Sequence, residues 1–185
     1  EKQLVYVFLA DGFEECEALA PVDILRRGGI EVTTVGVGSR SITGAHGITV
    51  MCDCDTGSIP KRDITAVILP GGMPGTLNLE KNETVMEYVK TAAKENRIIG
   101  AICAAPSILG HIGLLNGRKA TCFSGFEKDL TGAEVDSALP VVTDGNIITA
   151  YGAGAAFDFG FELLALITND RKKSQELMRS MRYKN

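Results

Sequence analysis

Tryptophan is absent from the 185 residues, and aromatic side chains make up only 6% of them. Histidine occurs twice, as His46 and His111, so a multi-histidine metal or catalytic cluster is ruled out at once. Positive charge is in deficit: 19 basic residues against 23 acidic ones leave a net charge of −4, and nucleic-acid binding is not expected. No internal repeat, low-complexity tract or linker is found, which excludes a repeat array. Uninterrupted apolar runs are short. The most apolar late stretch, Ala150–Thr168, is broken by Asp158 and Glu162 and reads as a buried helix, not a membrane span. The run Leu4–Ala10 meets Asp11-Gly12-Phe13-Glu14-Glu15 at once, so no targeting segment is expected there. Five cysteines is an odd count, and free thiols in a reducing cytoplasm are expected. What remains is ordinary globular usage, 45% apolar and 23% charged, in a length that suits one domain, 1–185.

Strand and helix signals alternate. Leu4–Ala10 has the continuous apolar pattern of a strand buried on both faces. A helix is expected over Glu14–Arg27, stopped by Gly28-Gly29, with a kink or a broken first turn at Pro21. Ile30–Val37 reads as a strand and Ser41–Met51 as a side hairpin. Ala66–Leu69 and Ile98–Ile102 are short buried strands, and Glu83–Glu95 has helical spacing. Ala104–Leu115 is expected to be helical and Lys119–Phe123 a strand. Val141–Thr143 and Ile147–Ala150 flank a tight turn, and helices over Ala155–Thr168 and Arg171–Arg182 finish the chain. This alternation predicts an α/β domain with a mostly parallel sheet. Ligands then sit beyond the carboxyl ends of the strands, in the loops Asp11–Glu17, Pro70–Gly75, Cys103–Ala105 and Tyr151–Gly154.

The richest segment is Ile98-Ile99-Gly100-Ala101-Ile102-Cys103-Ala104-Ala105-Pro106. A buried strand runs straight into a helix and Cys103 stands at the junction, as in a nucleophile elbow. A helix N-terminus there favours a thiolate, and the Ala104 N–H could donate to an oxyanion. The competing reading is a small buried core residue; the elbow context favours the nucleophile. Gly71 and Gly72 end the neighbouring strand and could complete an oxyanion hole, against the plainer reading of a strand-end turn.

A thiolate usually has a histidine partner. His111 is eight residues beyond Cys103 on the same helix, about 12 Å away at 1.5 Å per residue. It reads as a packing or capping residue, and His46 as a solvated side chain with a possible contact to the pocket. Carboxylates are the alternative. Glu17 and Glu14 project into the apolar arc of the first helix and Glu15 falls at its edge. First-turn acids also complement the helix dipole, which is the competing reading for Glu14 and Glu15. Glu17 is the better candidate, being furthest into the helix. Next to a thiolate its carboxyl must keep a proton, and burial raises its pKa. Cys52-Asp53-Cys54 is too short and isolated for zinc, so no metal is expected. Cys16 and Cys122 read as small apolar fillers, and the basic last fifteen residues as a solvated amphipathic helix.

The sequence resembles the ThiJ/PfpI superfamily, in the branch of the parkinsonism-associated protein deglycase and its bacterial relatives. The likeness runs through Ala10-Asp11-Gly12-Phe13-Glu14-Glu15-Cys16-Glu17, Pro21-Val22-Asp23, Arg27-Gly28-Gly29-Ile30, Leu69-Pro70-Gly71-Gly72, Ala101–Pro106 and Gly152-Ala153-Gly154. It implies a flavodoxin-like three-layer sandwich of the class I glutamine amidotransferase-like type. It implies a Cys103 nucleophile with a protonated Glu17, and an anion pocket from the backbone of Gly71, Gly72 and Ala104. It further implies a homodimer without a cofactor. The substrates implied are reactive carbonyls such as methylglyoxal, and glycated proteins or nucleotides. A redox-sensing chaperone is the alternative role. The chain departs from the superfamily's pattern in several places. Ala104 stands where protease-like members place a histidine, and the late His-x-Glu pair of amidotransferases is missing. Phe123 and His46 stand where close relatives carry a histidine and an arginine.

Overall fold

The computed structural model describes residues 2–184. In chain order the elements are β1 (Leu4–Leu9), α1 (Glu15–Arg27), β2 (Glu31–Gly36), β3 (Ser41–Thr43), β4 (Thr49–Met51), β5 (Cys54–Asp55) and β6 (Ala66–Leu69). Then come α2 (Gly75–Lys81), α3 (Glu83–Lys94), β7 (Ile98–Ile102), α4 (Pro106–His111), β8 (Lys119–Ala120) and β9 (Glu134–Val135). The last are β10 (Val141–Asp144), β11 (Ile147–Ala150), α5 (Ala156–Thr168) and α6 (Arg171–Ser180).

Seven strands form one sheet in the order β10-β11-β7-β6-β1-β2-β5, parallel except for the β10–β11 pair. Every side chain of β1 is buried. Because a strand alternates its faces, Leu4, Tyr6 and Phe8 pack with Val85 and Val89 of α3 and Ile108 and Leu109 of α4. Val5, Val7 and Leu9 pack on the other face with Ala18, Val22 and Leu25 of α1 and Phe159 and Leu163 of α5. Three layers result, which is the flavodoxin-like arrangement expected. From β1 the chain builds the sheet outward through β2, then returns to lay β6 on the opposite side of β1. The carboxyl ends of β1 and β6 therefore flank the crevice where ligands bind in such sheets.

Several boundaries differ from the sequence expectations. Glu14 lies outside α1 and caps it, its carboxylate accepting the Glu17 N–H at 2.8 Å. The helix is not broken at Pro21: α1 runs continuously from Glu15 to Arg27. Helix α5 crosses it so closely that a Cβ on Gly160 would stand 2.7 Å from Ile24 Cδ1 and 3.3 Å from Pro21 Cα. The helix expected over Ala104–Leu115 is only Pro106–His111. Gly110 there backs onto the Asp129 carbonyl, 2.0 Å from where a Cβ would be, and Gly113 takes φ +79°. The strand expected over Lys119–Phe123 stops at Ala120, because the Thr121 N–H donates to Thr149 Oγ1 and the Phe123 N–H to the Cys103 carbonyl. Helix α6 stops at Ser180, short of Arg182. The side hairpin Ser41–Met51 forms as expected, whereas α2 and β5 were not anticipated.

Candidate active site

Cys103 follows β7 directly and holds φ +66°, a left-handed conformation that a non-glycine residue adopts only under constraint. Two backbone bonds impose it. The Cys103 N–H donates to the Ala150 carbonyl at 2.8 Å, and its carbonyl accepts the Phe123 N–H at 2.9 Å. Pro106 then opens α4, where its missing N–H is harmless. The thiol is partly exposed. This is the sharp turn expected from the small residues around Cys103.

Glu17, in the first turn of α1, is 1% exposed. Both of its carboxyl oxygens are buried and neither has a partner in hydrogen-bond geometry. The thiol stands beside it: a Cβ placed on Gly71 would lie 2.6 Å from Glu17 Oε1 and 2.7 Å from Cys103 Cβ. Only glycine fits between the two groups. Gly72 takes φ +89°, and a Cβ there would meet the Glu14 nitrogen at 2.4 Å. Burial pushes the Glu17 carboxyl up to about 7; the thiol and the Gly71 N–H work against that rise. The Cys103 thiol is pushed up to about 12, first by burial and then by negative charge on Glu17. The Ala104 and Gly72 N–H groups pull it down. The two groups therefore titrate as a coupled pair: burial disfavours charge on either, and charge on Glu17 disfavours a thiolate.

A family model described as DJ-1/PfpI family matches residues 3–166. The chain belongs to the DJ-1/PfpI family. It is 33% identical over 170 residues to Protein DJ-1 homolog B of Arabidopsis thaliana, covering 91% of this chain but only 39% of that longer protein. A deglycase of Pyrococcus abyssi is 33% identical over 88% of this chain and 98% of its own. A glutathione-independent glyoxalase of Caenorhabditis elegans is 27% identical, covering 96% of this chain and 95% of its own. The crystal structure of a cysteine-to-alanine mutant of a DJ-1 superfamily protein from Salmonella typhimurium superposes with a TM-score of 0.92 at 35% identity, covering 98% of each chain.

The other residues singled out from the sequence fall around this DJ-1/PfpI site in different ways. The backbone N–H groups of Gly72 and Ala104 act on the sulfur, whereas that of Gly71 acts on Glu17. His46 sits on the rim with an exposed side chain, its Nδ1 3.6 Å from both Glu14 Oε1 and Glu15 Oε1. Glu15, expected at the edge of the apolar arc, is buried. The reason is tertiary: its carboxylate accepts the His46 N–H at 3.0 and 3.1 Å, pinning the side hairpin to α1. His111 binds Glu80 of α2 at 2.5 Å and Asp129 at 2.8 Å. Cys122 is buried as expected, but Cys16 is exposed rather than a filler, and the Glu14 charge raises its pKa. Among the described residues no three His, Cys, Asp or Glu side chains converge as a metal-ligand set, and no helix is long and apolar enough to cross a membrane.

Proposed function

We propose that this chain is a cofactor-independent, cysteine-dependent enzyme that converts 2-oxoaldehydes such as methylglyoxal to 2-hydroxy acids, with Cys103 as nucleophile and Glu17 as proton shuttle. One observation carries the proposal: a cysteine held at φ +66° at a strand end, against a buried carboxyl whose oxygens have no partner in hydrogen-bond geometry. The names of the Pyrococcus abyssi deglycase and the Caenorhabditis elegans glyoxalase support the reaction class.

The thiolate adds to the aldehyde carbon and forms a C–S bond. The developing oxyanion takes hydrogen bonds from the Gly72 and Ala104 N–H groups, with Gly71 holding the loop, and then takes the proton of Glu17. The Glu17 carboxylate removes the hydrogen of the former aldehyde carbon as a proton and returns it to the neighbouring carbonyl carbon, while the hydroxyl proton of the first carbon passes to the neighbouring oxygen. The first carbon is thereby oxidised and the second reduced, leaving a thioester of the 2-hydroxy acid. Water cleaves the thioester, releasing the acid and restoring the thiol. Overall the aldehyde gains one water, and no external oxidant or reductant is consumed. In an early glycation adduct the aldehyde carbon carries an amine or thiol of the glycated molecule; that group leaves with a proton as the Cys103 sulfur takes its place, and the same steps follow.

Purified protein mixed with methylglyoxal is expected to form lactate, with Cys103→Ser losing at least about a hundredfold in kcat. Wild-type turnover no faster than that of the variant removes the proposal. The partial exposure of Cys103 also favours the redox-sensing chaperone reading. Peroxide oxidation of Cys103 seen by mass spectrometry, without carbonyl turnover, would select it. A cytoplasmic homodimer is part of the same proposal, and sedimentation velocity tests the dimer.

A further inference from the structure

We propose that Phe123 and Met73 form an apolar shelf at the mouth of the Cys103 site, selecting uncharged 2-oxoaldehydes that carry an aromatic or bulky apolar substituent. This rests on the reaction proposed above and deepens it. Two loops meet at Cys103, and each brings an exposed apolar side chain. The first is tied to the nucleophile by the Phe123 N–H bond to the Cys103 carbonyl. Its ring is 50% exposed and lies against Gly152, 3.4 Å from where a Cβ there would be. Gly152 itself is two residues beyond Ala150, the acceptor of the Cys103 N–H. The Phe123 carbonyl accepts the Phe126 N–H, so the turn that presents the ring is closed. The second loop places Met73, 46% exposed, directly after Gly72, whose N–H acts on the sulfur.

An isolated exposed apolar residue needs no explanation. Here both stand on the loops that fix the thiol. A flat ring offers stacking area to another ring, and a thioether adapts to its edge. The charged side chains beneath point the same way. Glu14, Glu15 and Glu17 surround the start of α1, and the imidazole of His46 is already engaged by Glu14 and Glu15. A carboxylate or phosphate on the substrate meets like charge there, whereas a neutral apolar group meets none.

The test compares kcat/KM for phenylglyoxal and methylglyoxal in the wild type, Phe123→Ala and Phe123→Tyr. The wild type is expected to favour phenylglyoxal. Phe123→Ala should lower the phenylglyoxal-to-methylglyoxal ratio by about three- to tenfold, the range for loss of one aromatic contact. Phe123→Tyr keeps the ring and should keep the ratio. A Phe123→Ala ratio within twofold of wild type, with both aldehydes still turned over through Cys103, overturns the shelf and leaves the reaction standing. If the wild type turns over neither aldehyde, the reaction falls instead. The shelf is then read from protection of Cys103 against alkylation by iodoacetamide, and equal protection by the two aldehydes overturns it.

Discussion

Glu17 is a carboxyl group sealed from water with no hydrogen-bonding partner for either oxygen. Such a group destabilises the fold unless it is neutral. Its pKa is about 7 in the fold against an ordinary 4.5. The sign follows from linkage: the folded chain holds this proton more tightly, so the stabilisation is complete below 4.5 and is lost as the pH rises through 7. The shift corresponds to roughly 3 kcal/mol across that window. Glu17→Gln should therefore remove a downward slope in the melting temperature between pH 4.5 and 7 while abolishing turnover. Identical slopes in wild type and variant, measured by calorimetry, would show that Glu17 is not a buried proton holder. On the proposed mechanism, the same neutral acid takes the place of a histidine beside the thiol. Sequence already marked Glu17 as an acid on an apolar helix face. That Gly71 alone fits between it and Cys103 is a contact across 54 residues of chain, which no local pattern encodes.

The element scale shows a second use of carboxylates. His111 ends α4 and bridges Glu80 of α2 and Asp129 of the turn after Phe123. Each of these three segments reaches the site at its other end: α4 begins just past Cys103, α2 just past Gly72, and the turn follows Phe123. The two carboxylates raise the His111 pKa. A raised histidine stabilises fully below its unfolded value of 6.5, and the gain fades as the pH rises through the higher folded value. The side chain is 41% exposed, so solvent screening limits the gain to about 0.5 kcal/mol. His111→Gln should lower stability at pH 6 in low salt and leave it nearly unchanged at pH 9. A denaturant-unfolding difference that is the same at both pH values would exclude the ionic clasp. Sequence gave His111 a packing or capping role. Its ionic partners stayed hidden because they lie 31 and 18 residues away.

For the whole molecule, stability is graded from the sheet centre outward. β6 and β7 have partners on both edges and helices on both faces, whereas β3 and β4 form an exposed two-stranded ribbon held by Glu15. In hydrogen exchange, amides of Val67 and Ile68 should outlast those of Ser41–Met51 by at least about a hundredfold. Comparable rates would mean that the chain opens as one unit. The alternation of apolar strands with amphipathic helices by itself determined the three-layer architecture, because burial on both faces leaves a strand such as Leu4–Leu9 one kind of environment. The strand-to-helix junction likewise put Cys103 at the carboxyl end of an inner strand, β7. Only the tertiary structure decided where elements stop, since Gly110 and Phe123 answer to backbone groups of distant segments rather than to their own periodicity. It alone also set the protonation of the Cys103–Glu17 pair, because that depends on the water excluded around two residues 86 positions apart.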